Sequence, residues 1–220
     1  MKTIFFSILL MLLSLTFLHA QEIPVIKAIQ DSDSNYMDYE DYAGPNEPIG
    51  DLVFLKGCSW YCGGYVEEIT ASSELRSNGS NTYLGKNAHD FEMKTAWVEG
   101  KKDYGIGEYV EYKFNFDRYE NYDGHLGITK ILLANGYKKS KELWKANSRV
   151  KKLRMYVNNE PYAILEIIDS FEIQTIDIGK FMFPPKTTTL IKFEIMEVYP
   201  GSKYKDVAIS ELVFEGVGVH

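Results

Sequence analysis

Asp90, Thr95 and Trp97 fall within AHDFEMKTAW (residues 88–97), and a further acid, Glu211, stands far along the chain at the start of a final apolar run. A carboxylate, a hydroxyl five residues later and a distant second carboxylate are oxygen donors of the kind a hard cation such as calcium takes, with backbone carbonyls completing the shell. Trp97 would then enter the core beside that site. The same residues also suit a metal-free turn in which Asp90 caps the loop and pairs with Thr95. Spacing alone leaves both readings open.

Other chemistry finds less support. Beyond residue 20 the imidazoles are His89, His125 and the terminal His220, and neither HExxH nor GxSxG occurs, so the common metalloprotease and serine-hydrolase signatures are missing. Two carboxylates suffice for glycoside hydrolysis, yet no pair stands out for acid–base work, and a small carboxylate hydrolase is the weakest reading. Gly105-Ile106-Gly107 precedes a strand and lacks the third glycine and the helix of a dinucleotide site. It reads as a tight turn.

A second group of residues pairs aromatic rings with polar neighbours: Trp60 and Tyr61, Asp103 with Tyr104, Tyr137 with Asn135 and Lys138, Trp144, and Tyr199 with Tyr204. Sugars expose apolar C–H faces rimmed by hydroxyls, which such groupings match by stacking and hydrogen bonding. Filling of a sheet core or edge is the competing use of the same rings.

The elements that must carry these residues are strands. In EYVEYKFNF, Val110, Tyr112, Phe114 and Phe116 alternate with Tyr109, Glu111, Lys113 and Asn115, the period of a half-buried strand. Runs at 127–134, 150–157, 163–168, 171–178, 190–198 and 208–214 continue the series, with Asn135-Gly136 and Asn158-Asn159 as turns. One short helix is expected near Ser140–Trp144. Short strands at this spacing predict an all-β, jelly-roll β-sandwich.

Composition narrows the classes further. The 220 residues carry 31 acids against 24 Lys and Arg, a net charge of −7, which argues against a nucleic-acid binder. Residues 1–20 read as a signal peptide cleaved after Ala20, with an uncleaved N-terminal membrane anchor as the alternative, since the apolar run is near the spanning minimum. No later apolar run is long enough to span a bilayer, so no membrane insertion is expected after cleavage. A secreted, periplasmic or cell-surface location follows. Residues 21–50, acidic and Tyr-rich, are expected to form an extended or disordered linker, followed by one domain over 51–220. Cys58 and Cys62 in CSWYCGG should oxidise to a local disulfide in such a compartment; a reduced pair, or half a zinc site near His89, are the alternatives.

AHDFEMKTAWVEG, YGIGEYVEYKF, ILLANGYKKS, ANSRVKKLRMYV and EVYPGSKYKDVAISELVFE occur in that order. Together they resemble the discoidin-like, galactose-binding-like β-sandwich, and more closely the glycan-binding domain of secreted bacterial NAD-glycohydrolase toxins, over Leu52 to Gly216. The wider family's pattern A-x-D-G-x-x-x-T-x-W, with a late Glu, surrounds a structural calcium. Ala88, Asp90, Thr95, Trp97 and Glu211 fall on it, while Phe91 stands where that pattern has Gly. The resemblance implies a metal set of Asp90, Thr95 and Glu211. It also implies sugar binding on loops at one end of the sandwich, here assigned to Trp60, Tyr61, Asp103, Tyr104, Asn135, Tyr137 and Lys138. It implies binding to a glycan or cell-surface ligand, without the NAD-cleaving domain; a protein partner docked on the same sandwich is the alternative.

Overall fold

Burial in the structure follows the alternation of the sequence. Val110, Tyr112 and Phe114 are buried along strand β4 (Tyr109–Asn115), and the residues between them are half-buried. Strand β9 (Thr188–Tyr199) repeats the pattern with Ile191, Phe193 and Ile195 inward. A β-strand turns successive side chains to opposite faces, so each strand lends one face to a core. The structure is a computed structural model that describes residues 22–30, 60–117 and 119–218. The expected signal peptide, residues 31–50 of the expected linker and Cys58 lie outside the described residues.

The remaining strands are β1 (Val25–Lys27), β2 (Glu68–Ala71), β3 (Trp97–Val98), β5 (Gly127–Asn135), β6 (Ser148–Val157), β7 (Glu160–Glu166), β8 (Gln174–Met182) and β10 (Val207–Val217). One helix, α1 (Lys141–Ala146), interrupts them, and Ser140 caps it by accepting from the Leu143 amide at 3.2 Å. Strand order is β2-β4-β9-β6-β10-β5-β8, with β7 beside β6 and β3 beside β10. The β6–β10 contact is parallel and spans only Val207↔Ser148 and Ala208↔Arg149. The strands part there, and the sheet folds over into a β-sandwich. Trp97, Tyr112, Phe114, Phe183, Phe193 and Phe214 fill the space between the layers. Two 3-10 turns, Trp60–Cys62 and Gly85–His89, add to the loops. Asn158 and Asn159 have φ of 51° and 68°, the doubly left-handed turn that a two-residue hairpin favours.

Two expectations need correction. The run at 171–178 enters the sheet only at Gln174; Phe171 instead leaves the strand to pack edge-on against Trp144 at 5.8 Å. The expected linker also begins inside the fold. Val25, Ile26 and Lys27 pair in parallel with Ile164, Leu165 and Glu166 of β7. Two residues on, Ile29 exchanges both backbone hydrogen bonds with Thr175 of β8, at 2.8 and 2.9 Å. The segment thus joins two strands that would otherwise present open edges, and Ala28, 5% exposed, drops between them. An open edge is a row of unpaired donors and acceptors, and a short apolar segment such as IPVIKAI satisfies it. Replacing Ala28 by Arg should unseat the segment. The expected result is faster amide exchange at Ile164, whose N–H donates to the Pro24 carbonyl at 2.8 Å. Unchanged protection there would refute the role given to β1.

Candidate functional site

The loop from Thr82 to Ala96 is built around Asn87. Its buried amide donates to the Thr82 carbonyl at 2.8 Å and the Ala96 carbonyl at 3.3 Å, pinning both ends of the loop. Asp90 follows the 3-10 turn and gathers the next residues. Its carboxylate lies 2.8 Å from the Thr95 hydroxyl and accepts from the Glu92 amide at 3.1 Å. Phe91 takes φ of 66°, the left-handed conformation that costs a residue with a Cβ about 1 kcal/mol or more. The turn therefore keeps the shape a glycine would give it. Phe91 is held by ring contacts to Tyr61 at 5.2 Å and His89 at 5.4 Å.

Glu211 reaches this loop from β10. It is 1% exposed, and neither carboxyl oxygen makes a hydrogen bond of normal geometry, although the Asp90 carboxyl and the backbone of Phe91 and Glu92 stand near enough to act on it. Burial, reinforced by the Asp90 carboxylate, pushes its carboxyl up to about 10. The structure thus brings Asp90, Thr95 and Glu211 together. Around them, His89 donates through Nδ1 to the Leu212 carbonyl at 2.8 Å, and burial pushes its imidazole down to about 4. The tautomer follows from the acceptor: a carbonyl can only receive, so Nδ1 carries the proton. The Tyr61 hydroxyl accepts from the Phe214 amide at 2.8 Å. Burial, with the negative charge of Glu211 adding to it, raises both Tyr61 and Tyr112.

A buried carboxyl with two orphaned oxygens is costly unless something compensates it. A cation would do so. Among the described residues no group of three or more His, Cys, Asp or Glu gathers as a metal site. A cation here would draw on two carboxylates and neutral oxygens, a donor set that suits calcium rather than zinc.

The expected sugar-contact residues separate in the structure. Trp60 is 3% exposed and packs on Tyr61, Phe114, Phe183 and Phe214, with centroids 5.1 to 6.4 Å apart. It is a core residue, not a loop platform, and Tyr61 beside it is occupied with β10. Asn135 is fully buried. Its amide donates to the Val150 carbonyl at 2.8 Å and accepts from the Val150 amide at 2.9 Å, clamping β5 to β6. Tyr137 is buried against Tyr83, and buried Lys138 holds its ammonium 4.6 Å from the Phe171 ring centre. These five residues were legible as aromatic and polar types, but neighbours distant in sequence enclose them.

Asp103 is exposed and Tyr104 half-buried. Asp103 accepts from the Gly105 amide at 3.0 Å, and Gly105 has φ of 59° with its Cα facing the Glu99 side chain; a Cβ there would meet that carboxyl carbon at 2.6 Å. Glu99 is buried and ties this loop to the next, accepting from Lys101 at 2.7 Å and from Val207 at 3.1 Å. The β9–β10 loop (200–206) lies alongside and sets the Lys205 ammonium 5.5 Å from the Tyr104 ring centre. On its other side it is sewn to the end of α1: Ser202 donates to the Lys145 carbonyl at 2.9 Å, and Lys203 and Tyr204 donate to that of Ala146 at 3.1 and 2.8 Å. Tyr204 is 40% exposed. Three loops therefore stand side by side with Tyr104 and Tyr204 accessible. The sequence signal for the lysines was SKYKD, an alternation of cation and aromatic between two strands.

The sequence matches the family described as NAD glycohydrolase translocation F5/8 type C domain over residues 60–215. A comparison with curated proteins finds no match. Among solved structures, the fold resembles the CBM32-1 and CBM32-2 domains of Clostridium perfringens ZmpB in complex with GalNAc, with a TM-score of 0.54 and 13% identity over 88% of this chain. A structure of those two domains with the M60 catalytic domain of the same protein gives 0.53 and 14% over 90%. The chain spans 40% of the first of those chains and 17% of the second. Among the described residues no helix is long and apolar enough to cross a membrane.

Proposed function

We propose that this chain, which belongs to the family of NAD glycohydrolase translocation F5/8 type C domains, is an exported glycan-binding module that performs no chemistry of its own. The observation that carries the reading is the trio of adjoining loops with Tyr104 and Tyr204 accessible at one end of the sandwich. Each ring offers a face to sugar C–H groups, and Asp103 and the lysines supply hydrogen bonds to hydroxyls. The GalNAc complex of the similar ZmpB domains supports the same class of ligand. A protein partner docked on these loops is the second reading, favoured by the exposure of Tyr204 and of Ile106, which is 57% exposed.

A glycan array probed with the mature protein and with Tyr104→Ala tests it. The parent should bind a defined sugar class, and the variant should bind about tenfold more weakly, about 1.4 kcal/mol, with an unchanged melting temperature. A blank array from folded protein would remove the glycan reading and favour the protein partner.

Two structural supports belong to the same proposal. Asp90 and Glu211 would hold a calcium ion with the Thr95 hydroxyl and backbone carbonyls, supplying the positive charge that the orphaned Glu211 oxygens lack. Calcium there is a brace for the loop and takes no part in sugar contact. A Cys58–Cys62 bridge would close the turn that begins at Trp60. Intact-mass measurement should show a gain of about two hydrogens on reduction, and its absence would rule the bridge out.

A further inference from the structure

We infer that the ligand of the three-loop face is an acidic glycan, one bearing carboxylate or sulfate groups. The inference rests on the glycan-binding reading above and adds a charge to it.

The chain as a whole is acidic, with a net charge of −7. The three-loop face departs from that balance. The β3–β4 loop brings Lys101 and Lys102, the end of α1 brings Lys145, and the β9–β10 loop brings Lys203 and Lys205, all exposed. The acids of the same loops are largely committed. Glu99 is buried under two backbone amides, while exposed Asp103, which caps Gly105, offsets one of the five lysines. Glu108, which takes the Ser72 and Ser73 hydroxyls, also neutralises Lys101 at 3.5 Å. Asp206 is half-buried, and burial raises its carboxyl above the usual range.

The two central lysines are placed against aromatic rings. Lys203 lies 4.9 Å from the Tyr204 ring centre and Lys205 5.5 Å from that of Tyr104. Among the described residues, neither ammonium has a carboxylate within salt-bridge distance. A cation beside an aromatic face presents one surface for the sugar ring and one charge for its acid group. Backbone hydrogen bonds tie the loop of Lys203 and Lys205 to both neighbours, so part of the ordering cost of binding is already met in the free protein. A neutral sugar would take hydrogen bonds from the lysines but leave both of their charges unmatched.

Matched ligands test the charge directly. The probes are oligogalacturonate against its methyl ester, sialyllactose against lactose, and a sulfated against an unsulfated galactan, with poly-glutamate as a polyanion that is not a sugar. Binding is measured for the parent, Tyr104→Ala and the double variant Lys203→Gln/Lys205→Gln, at low and high salt. The inference expects at least one acidic glycan to bind at least tenfold more tightly than its neutral match. That margin should shrink in salt and disappear in the lysine variant, while Tyr104→Ala weakens binding to the sugar. Equal binding of acidic and neutral partners, insensitive to the lysine changes, would overturn the inference and leave the glycan reading standing. Equal binding of poly-glutamate would overturn it as mere charge attraction. No binding of any glycan would remove both. Circular dichroism of each variant excludes misfolding as the cause of a loss.

Discussion

Calcium should raise the melting temperature of this protein by about 5–10 °C at saturating concentration, and Glu211→Gln should abolish that rise. With its carboxyl pushed up to about 10 by burial and by Asp90, Glu211 holds its proton in the folded chain far above the ordinary 4.5 of the unfolded one. A raised folded pKa contributes stability in full below 4.5 and loses it as pH climbs from there toward about 10. At pH 7 the metal-free protein has lost roughly 3 kcal/mol of that contribution. Gln is neutral throughout and avoids the loss. Glu211→Gln should therefore match or exceed the parent in chelator at pH 7–8, and fall below it only when calcium is added. The parent in chelator should melt higher at pH 5 than at pH 8, and calcium should narrow that gap. Thermal melts in calcium and in chelator decide the matter. If calcium changes nothing and Glu211→Gln is destabilised by several kcal/mol, the metal-free turn of Asp90 and Thr95 is the correct account of the loop.

Trp60→Ala should cost about 3–5 kcal/mol of stability, the range for truncating a large buried aromatic. Trp60 is enclosed by Tyr61, Phe114, Phe183 and Phe214, and the backbone of Gly64 and Gly216 lies directly against its indole. These contacts leave a cavity when the ring is removed. Denaturant unfolding should show a lower midpoint at unchanged slope. Trp60→Phe should cost less than its size suggests, because the indole Nε1 has no hydrogen-bond partner in its buried position and its removal forfeits no bond. A Trp60→Ala protein of parental stability that failed to bind sugar would restore Trp60 as a ligand contact. The same experiment on Tyr104 gives the opposite split, binding lost and stability kept, and the pair separates scaffold from site.

The features legible in the sequence are those with a local cause. Strands β4 and β9 follow from residue-by-residue alternation, because the pleat turns each side chain to the face its neighbour avoids. The Asn158-Asn159 turn follows from two residues tolerant of positive φ. The Asp90–Thr95 contact spans five positions, within reach of one loop, and spacing was enough to suggest it. Other assignments needed the tertiary structure. Asn135, Tyr137 and Lys138 have the same chemistry as surface binding residues, yet α1 and the chain near Phe171 cover them. Nothing within a few residues of Trp60 reveals that Phe183 and Phe214 will meet it. The docking of β1 on β7 has no local signature, since the pairing joins residues about 140 positions apart. The orphaned oxygens of Glu211 and the placing of Lys205 over Tyr104 are likewise products of strands and loops brought together late in the chain. Side-chain chemistry and backbone periodicity are carried by each residue and its near neighbours. Burial and electrostatic partnership depend on which distant segments share a layer, and only the folded arrangement decides that.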